Sequence, residues 1–254
     1  DIEITHVSGD ELLDSGCCQL LVIGDVFARR SGWALRALRA GLHVLSDKPI
    51  CTRLEDLDRL AAQPGVLWAM LELRDRGILI RARELIRAGA IGEVLAVEFA
   101  GQHPLLAGER PAWYWKRDLH GGTINDLAVH AVDALAWITG RGVVDIPAAR
   151  SWRAGPGCPA GLRNAAQLML VLEGGAGVIG DVSYVAPDSF RYGLPQYWRF
   201  TFWGERGLIE APINGSRLLL FRQGDDRPLE VEPAADRRGG YLDDVLAAVG
   251  SGAI

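Results

Sequence analysis

The spacing of apolar residues changes near position 72. Before it, short continuous apolar runs alternate with amphipathic stretches. Gln19 to Gly24 (Gln-Leu-Leu-Val-Ile-Gly), His43 to Ser46 and Val66 to Leu71 read as strands buried on both faces. Between them, Ser31 to Ala40, with Trp33, Ala34 and Leu38 on one side, and Thr52 to Ala62, opened by a Thr52/Glu55 capping box, read as helices. Glu11 to Ser15 reads as the end of another. Strand and helix in strict alternation predict a parallel, doubly wound sheet. Beyond position 72 a helix over Arg76 to Ala88 is closed by Gly89. A strand over Val94 to His103 and a helix ending near Gly140 follow. The chain then turns strand-rich: Ala165 to Glu173, Ala176 to Val185, Arg199 to Trp203, Leu208 to Ala211, Arg217 to Arg222 and Leu229 to Glu232, joined by short glycine-containing turns that predict antiparallel pairing. A last helix starts over Tyr241 to Val249. The division this implies is residues 1–72 and 73–254.

The helix that ends at Gly140 concentrates the chemistry. It begins Gly121-Gly122-Thr-Ile-Asn-Asp126-Leu-Ala-Val-His130-Ala-Val-Asp133. Positions i and i+4 of an α-helix share a face, so the Asp126 carboxylate and the His130 imidazole form a candidate proton-transfer pair. Two plainer readings stand beside it. Thr123-x-x-Asp126 is a capping-box pattern, and a histidine in an apolar helix is often a satisfied core residue. Asp133 reads as structural. Upstream, His43-Val-Leu-Ser-Asp47-Lys48-Pro49 carries an ammonium to the carboxyl end of a strand, where open α/β sheets place ligands. The aromatic run Trp113-Tyr114-Trp115 lies in the loop before Gly121, either covering a ligand or packed as ordinary loop. His103 and His120, with Tyr184, Tyr192 and Trp198, are further candidates for a substrate pocket.

Composition narrows the field. The 254 residues carry a net charge of −5, which offers no basic footprint for nucleic acid. No apolar run approaches the ~20 residues that span a bilayer, and the start Asp1-Ile-Glu-Ile-Thr lacks the basic and apolar regions of a signal peptide. Cys17, Cys18, Cys51 and Cys158 fit neither a disulfide framework nor a zinc set, so reduced thiols in the cytoplasm are expected and no metal is called for. The one G-x-G-x-x-G, Gly175 to Gly180, leads into strand-like residues instead of a helix and reads as part of a hairpin.

The Asp47-Lys48-Pro49 segment, the Gly-Gly-x-x-x-Asp-x-x-x-His-x-x-Asp segment from Gly121 to Asp133, and the stretch Ile86 to Val94 between them together resemble the Gfo/Idh/MocA family (glucose–fructose oxidoreductase, inositol dehydrogenase and rhizopine catabolism). The resemblance implies a partial Rossmann-type α/β sheet followed by an α+β domain with a large, mainly antiparallel sheet. It implies an oxidoreductase that uses NAD or NADP and acts on a carbinol of a sugar, cyclitol or related polyol. Lys48, Asp126 and His130 are then the catalytic set. Gly24, Asp25, Asp47, Lys48, Arg74 and Trp115 are cofactor contacts, and His103, Trp113 and His120 face the substrate. Association as a homodimer or homotetramer through the open face of the second sheet is also implied, with Phe202, Trp203 and Phe221 lining it. The glycine-rich phosphate turn has no counterpart before Gln19. The chain is therefore either a piece of a longer protein or one lacking that turn, and a non-catalytic regulator that binds sugar or dinucleotide is the alternative function.

Overall fold

The computed structural model describes residues 8–251. They fall into two compact units. The first takes the chain up to Met70, Asp118–Gly121 and the residues from Tyr241 onward; the second takes Leu71–Arg117 and Gly122–Gly240.

The first unit runs α1 (Gly9–Asp14), β1 (Leu20–Ile23), α2 (Phe27–Arg39), β2 (His43–Ser46), α3 (Leu54–Ala61) and β3 (Leu67–Ala69). Ser8 and Glu11 close a reciprocal capping box at the start of α1. The three strands pair in parallel in the order β1-β2-β3, as the alternation of strands and helices predicts, but they are not all buried on both faces: Val22 of β1 is exposed and β3 is only part-buried. Ile23 and Val44 of the strands meet Ala34, Leu35, Ala37 and Leu38 of α2 and Leu60 of α3 to form the core. α3 opens at Leu54 with Arg53 in the cap position and no side-chain cap, so the predicted Thr52/Glu55 box does not form.

The second unit opens with a 3₁₀ turn over Glu72–Asp75 and α4 (Gly77–Arg87), followed by β4 (Val94–Pro104) and a 3₁₀ turn over Ala112–Trp115. The four-residue α5 (Arg117–His120) returns the chain briefly to the first unit from Asp118; then, in the second, a π-helical turn over Ile124–Ala128 leads into α6 (Val129–Thr139). The strands are β5 (Val143–Trp152), β6 (Ala165–Leu172), β7 (Gly177–Ala186), β8 (Trp198–Gly204), β9 (Gly207–Pro212), β10 (Leu218–Arg222) and β11 (Leu229–Val231); α7 (Gly240–Ser251) belongs from Tyr241 onward to the first unit. Together with β4 the strands form one eight-stranded sheet in the order β11-β10-β9-β8-β4-β7-β6-β5. Every neighbouring pair is antiparallel except β4 and β7, which run parallel. α4 and α6 pack on each other, α6 also on β4 and α4 on β9. Period-2 alternation buries Val97, Phe99, Leu168, Leu170, Val178, Val182, Phe200, Phe202 and Ile209, while Met169, Ile179 and Trp203 stay exposed.

That alternation corrects one expectation. Phe202 and Trp203 are consecutive in β8, so they point to opposite faces. Phe202 is fully buried and takes no part in the open face; Trp203 does. The glycine run before β7 is a hairpin, as expected: Gly174 and Gly175 have positive φ, and the Gly175 amide bonds back to the Leu172 carbonyl at 2.9 Å. Gly180 lies under the Phe99 ring, where any Cβ would collide.

Candidate active site

In the first unit the candidate residues gather at the carboxyl ends of the parallel strands. Gly24 and Asp25 follow β1, and Asp47 and Lys48 follow β2. A buried arginine joins the two loops. Arg30, on α2, donates from Nε to the Asp25 carbonyl (2.8 Å), from Nη1 to the carbonyls of Lys48 and Pro49, and from Nη2 to Asp47 Oδ2 (2.8 Å). Its guanidinium also lies 4.5 Å from the centre of the Phe27 ring. The other Asp47 oxygen accepts from the Lys48 amide at 2.7 Å, fixing the carboxylate against the backbone. Asp25 accepts from the Trp33 indole (3.1 Å) and from the Val26 amide (2.6 Å). Space around Gly24 is open. His120, buried at the end of α5, stands with its ring centre 5.3 Å from that of Phe27. Nothing in the local sequence around position 30 marks these contacts to three carbonyls and a carboxylate; they follow from the fold.

In the second unit the π-helical turn places Asp126. Thr123 does not cap it; its hydroxyl donates to the Arg163 carbonyl instead. An isolated π-helical turn inside a helix often marks a functional position, because it re-aims the side chains it carries. The Asp126 carboxylate is 1% exposed. Its Oδ2 accepts from the Tyr114 hydroxyl (2.6 Å) and from the Tyr184 hydroxyl, and the two phenol oxygens are 2.9 Å apart. Tyr114 comes from the 3₁₀ turn, where Trp113 and Trp115, both part-exposed, flank it with ring centres at 5.4 and 5.5 Å. Tyr184 comes from β7. The Arg110 guanidinium covers both phenols, 4.5 Å from the Tyr114 ring centre and 5.7 Å from that of Tyr184. Burial, then the negative Asp126, pushes the ionisation of both tyrosines above the ordinary phenol value.

His130, in the first turn of α6, is also buried, with its ring 6.0 Å from the Trp198 indole. Trp198 in turn meets His103, at 5.6 Å. The parallel β4–β7 register, which sets Gln102 beside Ser183, brings His103 of β4 edge-on to Tyr184 of β7 at 6.1 Å. Tyr192 and Tyr197 complete an aromatic wall around His103, at 5.8 and 4.7 Å. Gly101, opposite Trp198 in the β4–β8 register, lets the indole lie across the strand; a Cβ there would strike it. Asp126, His130, His103, Trp113 and Trp115 thus share one neighbourhood within this unit. Arg74 is engaged elsewhere: its Nε donates to Asp133 Oδ2 at 2.6 Å and its Nη2 to Oδ1, a bidentate ion pair locking the 3₁₀ turn to α6.

The family model for the GFO/IDH/MocA C-terminal domain matches residues 79–210, which hold β4, the π turn, α6 and the Tyr114/Tyr184 pair. The chain belongs to the Gfo/Idh/MocA oxidoreductase family. Among curated relatives, a dTDP-3,4-didehydro-2,6-dideoxy-alpha-D-glucose 3-reductase of Streptomyces violaceoruber is 31% identical over 135 residues, covering 52% of this chain and 39% of that protein. A 1-carboxy-3-chloro-3,4-dihydroxycyclohexa-1,5-diene dehydrogenase of Comamonas testosteroni is 33% identical over 155 residues, covering 58% and 38%. The matches thus span under half the length of these Gfo/Idh/MocA relatives. A solved structure from Thermotoga maritima, described as an oxidoreductase, superposes with a TM-score of 0.81 at 26% identity, covering 94% of this chain and 73% of that one. Among the described residues no helix is long and apolar enough to cross a membrane, and no cluster of His, Cys, Asp or Glu suits a metal ion.

Proposed function

We propose that this chain carries the centre of a dehydrogenase or reductase that works with NAD or NADP on a carbinol of a sugar, cyclitol or related polyol. The observation that carries the reading is the pair at the junction of the π turn and α6: a buried carboxylate, Asp126, anchored by two phenols, and four residues on a buried imidazole, His130, against an aromatic wall of the kind that sugar rings stack on. Family membership supports the reaction type, and the sugar reductase and cyclic diol dehydrogenase among the relatives support the substrate class. The carboxyl-end loops of β1 and β2 fit a dinucleotide in kind: open space at Gly24, carboxylates at Asp25 and Asp47 and an ammonium at Lys48. When bound, the nicotinamide supplies or accepts the hydride.

The protein's own part is proton handling. His130 takes the proton of the substrate hydroxyl as the carbinol is oxidised and returns it in the reverse direction. Asp126 supports the imidazolium that forms, and Lys48 is assigned the developing alkoxide charge. His103 and Trp113 are assigned to substrate, as is His120; Trp115 and Arg74, the latter with its guanidinium paired to Asp133, are kept as cofactor contacts. The open face of the large sheet, with Trp203 and Phe221, is assigned to a homo-oligomer, and the four free cysteines accord with a cytoplasmic setting.

The test is a titration with NADH and NADPH followed by nicotinamide fluorescence, then a screen of sugars and cyclitols. Saturable binding with turnover is expected, and His130→Ala and Lys48→Ala should each lower turnover by about 10²-fold or more. Near-normal turnover in a folded His130→Ala variant refutes the assignment. Binding without turnover on any substrate would favour a regulator.

A further inference from the structure

Two hydroxyl protons serve three short contacts around Asp126. Tyr114 and Tyr184 each reach Oδ2, and their oxygens also lie within hydrogen-bond distance of each other. A phenol has one proton to give, so at most two of the three contacts are hydrogen bonds at any instant. Either both phenols donate to the carboxylate, or one donates to the other, which donates to it. In both arrangements the phenols are donors toward a negative Oδ2, and the charge of Arg110 lies over their rings. A carboxylate buried to this degree costs several kcal/mol unless it is compensated in this way. The donors come from separate elements, the 3₁₀ turn and β7, and the acceptor from the π turn, so one carboxylate is held from both sides.

We infer that Tyr114 and Tyr184 are positioning residues for the proton transfer at His130, acting through Asp126: they hold its carboxylate ionised and in a fixed orientation. The inference rests on the reading that Asp126 and His130 serve the chemistry. Because the phenols spend their protons on Asp126 and resist ionisation, neither is the acid or base of the reaction. Because each can replace part of the other's contact, losing one is milder than losing both.

The experiment is a mutant cycle in the whole chain. Tyr114→Phe, Tyr184→Phe and the double variant are made with Asp126 intact and with Asp126→Asn, and kcat, KM and Tm are measured. Each single change is expected to lower kcat about 5-fold, the worth of one hydrogen bond, with KM within about twofold. The double variant falls close to Asp126→Asn, and the tyrosine changes lose almost all effect in that background. The inference is overturned if their kcat losses persist undiminished in the Asp126→Asn background, if the losses appear in KM, or if a folded double variant keeps full kcat. A readout free of turnover separates this inference from the functional reading. The carboxylate stretch of Asp126, isolated as the infrared difference between the parent and Asp126→Asn, should shift in the double variant. A shift without turnover in any form would sink the dehydrogenase reading and keep the clamp; an unmoved band would sink the clamp.

Discussion

Each unit anchors one acidic side chain among the candidate residues, and the two do it by opposite means. In the first, Asp47 is 44% exposed at the side chain and is held by charge, from the buried Arg30 guanidinium. In the second, Asp126 is almost fully buried and is held by two neutral phenols. The contrast follows from what each unit can bury. A three-stranded sheet leaves its loop carboxylates near water, where an ion pair is tolerable. An eight-stranded sheet with an aromatic face can enclose a carboxylate, and phenols meet it with neutral donors.

The largest test of that contrast is the wall itself. Trp198, Phe200 and Phe202 stack in register along β8, and Trp198 is 1% exposed. Trp198→Ala should destabilise the second unit by about 3–5 kcal/mol, read by urea unfolding. A loss below about 1 kcal/mol would mean that the wall is soft. Next is the charged anchor. Arg30→Met strips donors from three carbonyls and from Asp47, and should cost about 2–3 kcal/mol in the first unit; a neutral result would show that water replaces it.

Alkaline pH should then separate the units. Tyr114, Tyr184 and Tyr197 all lie in the second, and burial is the first cause holding each phenol's ionisation above the ordinary value near 10. The unfolded chain releases these protons above pH 10 while the folded unit keeps them. Their contribution is therefore intact below pH 10 and declines as pH rises toward the folded values, by about 1.4 kcal/mol per pH unit for each proton retained. Urea midpoints at pH 9 and 11 measure it, and Tyr114→Phe should flatten the slope. The smallest effect is salt: the half-exposed Arg30–Asp47 pair should weaken by less than about 1 kcal/mol between low and high ionic strength, and the phenol anchor should not respond. Salt-sensitive infrared bands at Asp126 would erase the distinction.

The architecture was legible wherever burial imposed a period. β1 to β3 read as apolar runs, and β4 and β6 to β11 emerged from their apolar and turn patterns. β5 did not. It is an edge strand, exposed along most of its length, it carries Pro147, and its register to β6 shifts twice, so no alternation survives. The π turn was hidden for another reason: Thr123-x-x-Asp126 matches a cap, and only Arg163, brought from elsewhere, draws the threonine away. Asp126 and His130 stood out because they share a helix. Tyr114 and Tyr184 were visible as aromatic candidates but not as supports of Asp126, because they are 70 residues apart; nor was Arg30 visible as the support of Asp47, 17 residues on. Spacing reveals neighbours along an element; it cannot reveal partners that meet only through tertiary contacts.

The single parallel pairing in the large sheet also sets a clock. Ser183 of β7 bonds to Gln102 of β4 across 81 residues, and parallel neighbours cannot be joined by a tight turn. The chain between them, α6 included, must be gathered before β4 and β7 zip together, a slow closure compared with the hairpins elsewhere in the sheet. His103 and Tyr184 sit at the far ends of those two strands. The centre is therefore expected to be among the last parts of its unit to mature, with activity returning after most secondary structure has recovered.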